Sequence, residues 1–222
     1  MSFDGLIFDL DGTLWDCSKL SADAFNLAYE KFGLNQRVSE AFVKSISGKP
    51  SSECDEILLA DVPIKMRQDL ACCFEELEIA AIQEGANSAL YPAVYAGLEK
   101  LKAHYKLFVV SNCGERYLEI FLSHSKIGSF FSDSECFGRT QKLKHENIKA
   151  LIERQKLVSA CYIGDTAGDE TAAGKAGVPF FHAGYGFGVP VGNPIAFANF
   201  GELTRHFIRQ SGGAESVDQR PI

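Results

Sequence analysis

The sequence lacks any apolar run long enough to span a membrane; its most apolar stretches, such as residues 105–111 and 160–164, are strand-sized. Its first residues, 1–5, carry an acid rather than a basic leader, and no apolar leader segment follows, so no secretion signal is expected. Basic residues are the minority, 22 against 29 acidic ones, and the net charge of −7 argues against a nucleic-acid partner needing a broad basic face. Zinc-type spacings are absent as well. None of the cysteines (17, 54, 72, 73, 113, 136 and 161) falls in a CxxC or Cys/His pattern, and an odd number cannot all pair. They read as free thiols in a reducing cytoplasm. His104, His124, His145, His182 and His206 show no ligand spacing and take no role. What remains is 222 residues of average globular composition, 46% apolar and 23% charged, enough for one α/β domain with a modest insertion.

Residues 5–10 form a short apolar run that stops at Asp11-Gly12-Thr13, a buried strand followed by a turn. From about residue 18 to 88 the texture is helical: Phe25, Tyr29 and Phe32 recur at helical spacing, as do Met66, Leu70, Cys73 and Leu77. Pro63 suits a helix start, and residues 48–52 read as a loop. After Tyr91-Pro92 helices and strands alternate. Helices are expected over 94–103, 114–126 (ended by Gly128), 144–156 and 166–176 (closed by Gly177), with strands over 106–110, 134–137, 160–163 and 178–182. Strands separated by such helices imply right-handed βαβ units and a parallel sheet. Residues 211–222 are polar and aperiodic and read as a flexible tail.

In open parallel sheets ligands bind beyond the carboxyl ends of the strands. Those ends here carry Asp9 and Asp11, then Ser111-Asn112, then Gly164-Asp165 with Asp169 four residues on, while Lys142 and Lys144 open an intervening helix. Any one of these is weak, since an acid after a strand is often a helix cap. Together they gather carboxylates, a hydroxyl and an ammonium around one crevice. Clustered carboxylates repel unless a cation sits among them, and hard oxygen ligands suit Mg²⁺. Such a site could hold a phosphate ester, let an ionised Asp attack phosphorus, and use a second Asp as acid and then base. Cys113 lies beside it at a possible helix start, where a thiol can be acidified, but no histidine nearby supports a catalytic role.

Asp9-Leu10-Asp11-Gly12-Thr13-Leu14, Ser111-Asn112, Lys144 and Gly164-Asp165-Thr166-Ala167-Gly168-Asp169 resemble, in order, the four motifs of the haloacid dehalogenase-like superfamily, and they span most of the chain. The resemblance implies a Rossmann-like three-layer α/β core with a parallel sheet (residues 1–16 and 89–210) and an inserted four-helix cap (17–88). By the same resemblance Asp9 is the nucleophile and Asp11 the general acid/base. Ser111, Asn112 and Lys144 bind phosphate. Asp9, Asp11 (through its main-chain oxygen) and Asp165 hold Mg²⁺, with Asp169 in support. Lys142 competes for the lysine role, although the residues after Lys144 fit the motif context better. Gly48-Lys49-Pro50 resembles the cap's specificity loop, with Lys49 either reaching an anionic part of the substrate or standing as a solvated loop lysine. Trp15 and Phe42 are candidates for the seam between cap and core. The glycines of Tyr185-Gly186-Phe187-Gly188 read as shaping backbone near the site mouth.

The activity implied is that of a cytoplasmic Mg²⁺-dependent phosphatase for a small phosphorylated metabolite, phosphoglycolate phosphatase-like, with no membrane or nucleic-acid partner. Asp11 argues against dehalogenase and phosphonatase chemistry, where the resemblance would have that acid missing or replaced. A β-phosphoglucomutase-like phosphoryl transfer shares cap and core; Thr13 in place of Val leans towards hydrolysis. A non-catalytic phospholigand-binding module on the same fold is the alternative from another class, and the intact acids argue against it.

Overall fold

The computed structural model describes residues 3–212; of the tail expected over 211–222, the part from residue 213 lies outside the described residues. Six strands form one sheet: β1 (Gly5–Phe8), β2 (Lys106–Ser111), β3 (Asp133–Cys136), β4 (Ala160–Gly164), β5 (Phe180–Ala183) and β6 (Ile195–Phe197). Their order is β3-β2-β1-β4-β5-β6, with every neighbouring pair parallel. The chain reverses its direction of travel across the sheet between β1 and β4, the place where such folds open a crevice beyond the strand ends.

The period-2 alternation of side chains builds three layers. On β1, Leu6 and Phe8 face one side, packing with the helices α5 (Val94–Leu101), α6 (Glu115–His124) and α10 (Phe200–Gln210) through Leu98, Phe121, Phe200 and Phe207. Ile7 faces the other side, with Phe108 and Tyr162, against α8 (Lys144–Gln155) and α9 (Ala167–Ala176) through Ile148, Leu151 and Ala173. Burial on both faces explains why these strands are uninterrupted apolar runs.

Between β1 and α5 lie four helices, α1 (Ser18–Lys31), α2 (Glu40–Ile46), α3 (Ser51–Leu58) and α4 (Ile64–Gly85). They bury an apolar cluster of their own around Phe25, Tyr29, Ile46, Leu70 and Phe74, with Phe74 5.1 Å from the rings of both Phe25 and Tyr29. The periodic residues 25, 29 and 70 meet here, because one apolar stripe per helix must face the others to leave water. The insert touches the core through Lys44, whose ammonium is 2.9 Å from Asp16 and lies over the Phe187 ring.

Several bounds shift by one or two residues, with β5 at Phe180–Ala183 and α3 beginning at Ser51 inside the expected loop, and three larger details differ from the sequence expectation. The helix expected to run from 114 to 126 covers only Glu115–His124, and Gly128 opens a short 3-10 turn (Gly128–Phe130) instead of ending that helix. A four-residue helix, α7 (Phe137–Thr140), follows β3. β6 and α10 were not foreseen, although Phe200, Leu203, Thr204 and Phe207 repeat at helical spacing behind Asn199, whose side chain caps the helix by accepting from the Glu202 amide.

Gly128 is constrained by close approach. A Cβ there would lie 1.7 Å from the Leu122 carbonyl oxygen, so the turn cannot keep its place if the residue grows. Gly128→Ala is expected to cost about 2 kcal/mol or more, by the usual range for overpacking, and thermal denaturation monitored by circular dichroism checks this.

Candidate active site

The carboxyl end of β1 delivers Asp9, whose amide continues the sheet by donating to the Ile163 carbonyl at 2.8 Å. The chain then turns at once. Gly12 adopts φ 79°, and a Cβ on it would fall 2.2 Å from Asp165 Oδ2, so only glycine lets the first loop approach the third. Gly186 does the same from the opposite side: its Cβ would meet Asp165 Cβ and the Gly12 carbonyl, both at 2.3 Å. The next amide, Phe187 N–H, donates to Asp165 Oδ2 at 2.7 Å. The glycine-rich loop after β5 thus shapes the site through backbone.

Lys144 stands at the first turn of α8 with its side chain turned inwards, only 5% exposed. Its ammonium lies 2.9 Å from Asp9 Oδ1 and 2.6 Å from Asp169 Oδ1, both buried. Lys142, two residues earlier, is exposed. Of the two candidates Lys144 is the one within the acidic cluster. Asp169 serves two masters: its Oδ2 accepts from the Asp165 and Thr166 amides and the Thr166 hydroxyl, closing a capping box at the start of α9. Tyr162 Oη donates to the Val110 carbonyl at 2.7 Å and braces the floor.

Single carboxylate oxygens of Asp9, Asp165 and Asp169 all lie within 4.8 Å of one another. Asp165 Oδ1 is buried and has no hydrogen-bond partner among the described residues. A buried acceptor left open beside two other acids fits a hard cation, which would satisfy it. The electrostatics agree. Burial, then the charge of Asp169, raises Asp9 to about 7 despite Lys144. Burial, Asp169 and Asp9 raise Asp165 to about 8. Burial acts on Asp169 too, but Lys144 and the Thr166 hydrogen bonds outweigh it and hold that acid below the usual range. Burial works against the Lys144 charge, and its two aspartates more than restore it.

Asp11 is set apart. Its Oδ1 accepts from Trp15 Nε1 at 2.9 Å and from Tyr117 Oη at 2.6 Å. Burial raises it to about 6 against those two hydrogen bonds. A carboxyl near neutrality, held by one oxygen, suits proton transfer through the other. Trp15 is fully buried against Tyr117 and Phe121, so it belongs to the core as well as to this clamp. Phe42 does not join the seam; it lines a separate shallow pocket with Tyr29 and Arg37. Tyr117 was not found from the sequence. Nothing in its spacing marks it, and only the packing of α6 beside β1 brings it to Asp11.

Asp9 and Asp11 open onto a cavity of about 290 Å³ between core and insert, also lined by Ser111, Asn112, Gly48 and Lys49. Ser111 Oγ accepts from the Cys113 amide at 3.3 Å. Asn112 joins the two parts: its Nδ2 donates to the Gly48 carbonyl at 2.7 Å, and its carbonyl accepts from the Ser51 amide at 3.0 Å. Lys49 lines the cavity while its ammonium sits 3.2 Å from Glu53 in an exposed pair. Cys113 corrects one expectation: its thiol is not acidified, because a hydrogen bond to Cys136 and burial both push it up.

The arrangement is that of a buried acidic centre under a half-open cavity, at the strand ends of a doubly wound sheet. The family model of haloacid dehalogenase-like hydrolases matches residues 6–183, and the chain belongs to that family. Among relatives, phosphoglycolate phosphatase of Aquifex aeolicus is 28% identical over 189 residues, covering 82% of this chain and 85% of that protein. Phosphoglycolate phosphatase of Pseudomonas syringae is 29% identical over 203 residues, covering 87% and 73%. A predicted phosphoglycolate phosphatase from Haemophilus somnus shares the fold, with TM-score 0.79, 24% identity and coverage of 93% and 98%. So does CbbY of Rhodobacter sphaeroides, with TM-score 0.77, 18% identity and coverage of 90% and 96%, solved in complex with xylulose-(1,5)bisphosphate. Among the described residues no helix is long and apolar enough to cross a membrane.

Without a cation, folded Asp9 and Asp165 retain protons that the unfolded chain releases at ordinary carboxylate pH. The stability this contributes is complete at acid pH and is lost as pH rises through about 7 and about 8. A divalent cation bound among these acids would take over from those protons as they leave. Its thermal stabilisation is therefore expected to be larger at pH about 8 than at about 5, and to shrink in Asp165→Asn. Differential scanning fluorimetry across pH, with and without the cation, checks both.

Proposed function

We propose that the chain is a cytoplasmic Mg²⁺-dependent phosphatase that hydrolyses a small phosphorylated metabolite through an aspartyl-phosphate on Asp9. The observation that carries this reading is the Lys144 ammonium bridging Asp9 and Asp169 beside the open Asp165 oxygen, beneath a half-open cavity. Free cysteines agree with a reducing compartment.

Lys144 occupies Asp9 Oδ1, which leaves Oδ2 as the attacking oxygen. Ser111, the Asn112 amide and Lys144 receive the phosphoryl oxygens and neutralise their charge. Asp9 Oδ2 forms a bond to phosphorus as the bond to the leaving oxygen breaks, and Asp11 gives that oxygen its proton. Asp11, now ionised, takes a proton from water, which attacks the phosphoryl group and frees Asp9. Trp15 and Tyr117 keep the Asp11 carboxyl oriented through both steps. Asp9, the Asp11 main-chain oxygen and Asp165, with Asp169 in support, would hold Mg²⁺, which would supply screening of the repulsion between the nucleophile and a dianionic ester. The helical insert acts as a cap, with Gly48 and Lys49 at its contact with the core, excluding water and reading the leaving group. The activity named for the relatives makes phosphoglycolate the first compound to assay.

The two aspartates separate by experiment. In Asp9→Asn no phosphoenzyme forms with any substrate. Asp11→Asn keeps the nucleophile but lacks the acid and the base, so an activated aryl phosphate should still label Asp9 and the label should persist. Turnover in both variants is expected to fall by about a hundredfold or more. Intact-protein mass spectrometry after acid quench reads the label; label on another residue, or undiminished activity in both variants, refutes the assignment.

A further inference from the structure

The cavity has two electrically different ends. At the catalytic end the ammonium of Lys144 lies behind Asp9. The end formed by the insert is acidic. Helical spacing puts Asp55 on the face of α3 that lines the cavity, and Glu75 and Glu78 on the corresponding face of α4. Among the described residues Lys49 is the one lysine, arginine or histidine in the lining, and its ammonium is engaged by Glu53. Glu75 pairs with Arg116 at the exposed rim, 3.5 Å away. Among the described residues neither Asp55 nor Glu78 forms a salt bridge, and Glu78 has a hydrogen bond from Ser21 alone. Burial chiefly, then the charges of Asp11, Asp55 and Glu75, push Glu78 up to about 7 against that hydrogen bond.

A second, independent sign points the same way. Asn112 lines the cavity; its Nδ2 is committed to Gly48, and its buried Oδ1 is an acceptor with no partner among the described residues. The lining beyond Asp9 therefore offers several acceptors and one compensated cation. Between the ends, Phe25, Val43, Ile46, Leu58 and Phe74 supply an apolar wall suited to carbon rather than to charge.

We propose that this cavity selects phosphate monoesters whose leaving alcohol bears an ammonium group, with Glu78 and Asp55 as its counter-charges, and disfavours esters bearing a carboxylate. The inference rests on the reading of Asp9 as the phosphatase nucleophile and names the substrate class of that same site. An ammonium supplies the cation that Glu78 lacks and can donate to Asn112 Oδ1. A carboxylate in the same place faces like charge, a juxtaposition that costs affinity steeply once water is excluded.

The experiment compares ω-aminoalkyl phosphates with carboxyalkyl phosphates of matched chain length, phosphoglycolate included, and with p-nitrophenyl phosphate as a common reference. All are assayed with the full chain and saturating Mg²⁺. The ammonium esters are expected to exceed their carboxylate counterparts in kcat/KM by about tenfold or more. Glu78→Gln keeps the shape and the hydrogen bond to Ser21 but loses the charge, and should cut that ratio by about tenfold. Asp55→Asn should lower it in the same direction. Carboxylate esters turned over as well as the ammonium esters, or a ratio unmoved in both variants while p-nitrophenyl phosphate is still hydrolysed, overturns the inference and leaves the phosphatase reading standing. No turnover of any ester, p-nitrophenyl phosphate included, overturns that reading and this one with it.

Discussion

The ammonium of Lys144, buried between Asp9 and Asp169, is the interaction on which the rest of the site depends. Several acids within 4.8 Å of one another in a water-poor crevice cannot all be ionised without a counter-charge. The lysine supplies one positive charge from within the fold. Its position in the first turn of α8 is in turn set by Ile148 and Leu151, which anchor that helix under the sheet. Removing the ammonium would leave two buried carboxylates facing each other, so the geometry of Asp9 is inseparable from the packing of a helix far along the chain. Because one ammonium does not balance the whole cluster, Asp9 and Asp165 rise to about 7 and about 8, and the open Asp165 oxygen is left for a cation.

The same logic divides labour between the two aspartates that follow β1. They are separated by a single residue, yet Lys144 engages one and the aromatic pair Trp15 and Tyr117 engages the other. At Asp9 burial and the charge of Asp169 outweigh the Lys144 ammonium and raise the acid to about 7, whereas at Asp11 burial is opposed by two neutral donors and the acid rises to about 6. Two identical side chains therefore acquire different chemistry from their surroundings.

The insert meets the core along α4 and α6, through Ile82 in the core cluster and Gln83 beside His124, and again beside the chemistry. Asn112 at the end of β2 holds Gly48, and Lys44 spans from the insert to Asp16 and the Phe187 ring. Phe187 also gives its amide to Asp165. The loop that orders the acidic centre is thus the loop on which the insert rests. Gly48 itself, at φ 85° with Thr166 beneath it, permits the close approach.

The parallel α/β core and its helical insertion were legible from hydrophobic periodicity alone, because strands buried on both faces and helices buried on one leave different patterns in the chain. Asp9, Asp11, Ser111 and Asp165 stood out because ends of parallel strands converge wherever such a sheet forms, and Lys144 and Asp169, in the segments that follow, were added by the resemblance of the four motifs. The exact end of α6, the short β6 and the helix α10 were not read. The first turned on the approach of Gly128 to Leu122, which no local pattern encodes. Sequence could not choose between Lys142 and Lys144 by chemistry, since two lysines two residues apart differ only in direction; the buried face of α8 made that choice. Tyr117 and Glu78 needed the fold most. An aromatic and an acid on amphipathic helices are ordinary in sequence, and they become a clamp on Asp11 and a half-buried acid without a salt-bridge partner among the described residues only when α4 and α6 are brought over the strand ends. The sequence by itself determined which groups are available and which strand ends carry them. Tertiary structure decided which are desolvated, which are neutralised and which face one another, because those properties depend on neighbours remote in the chain.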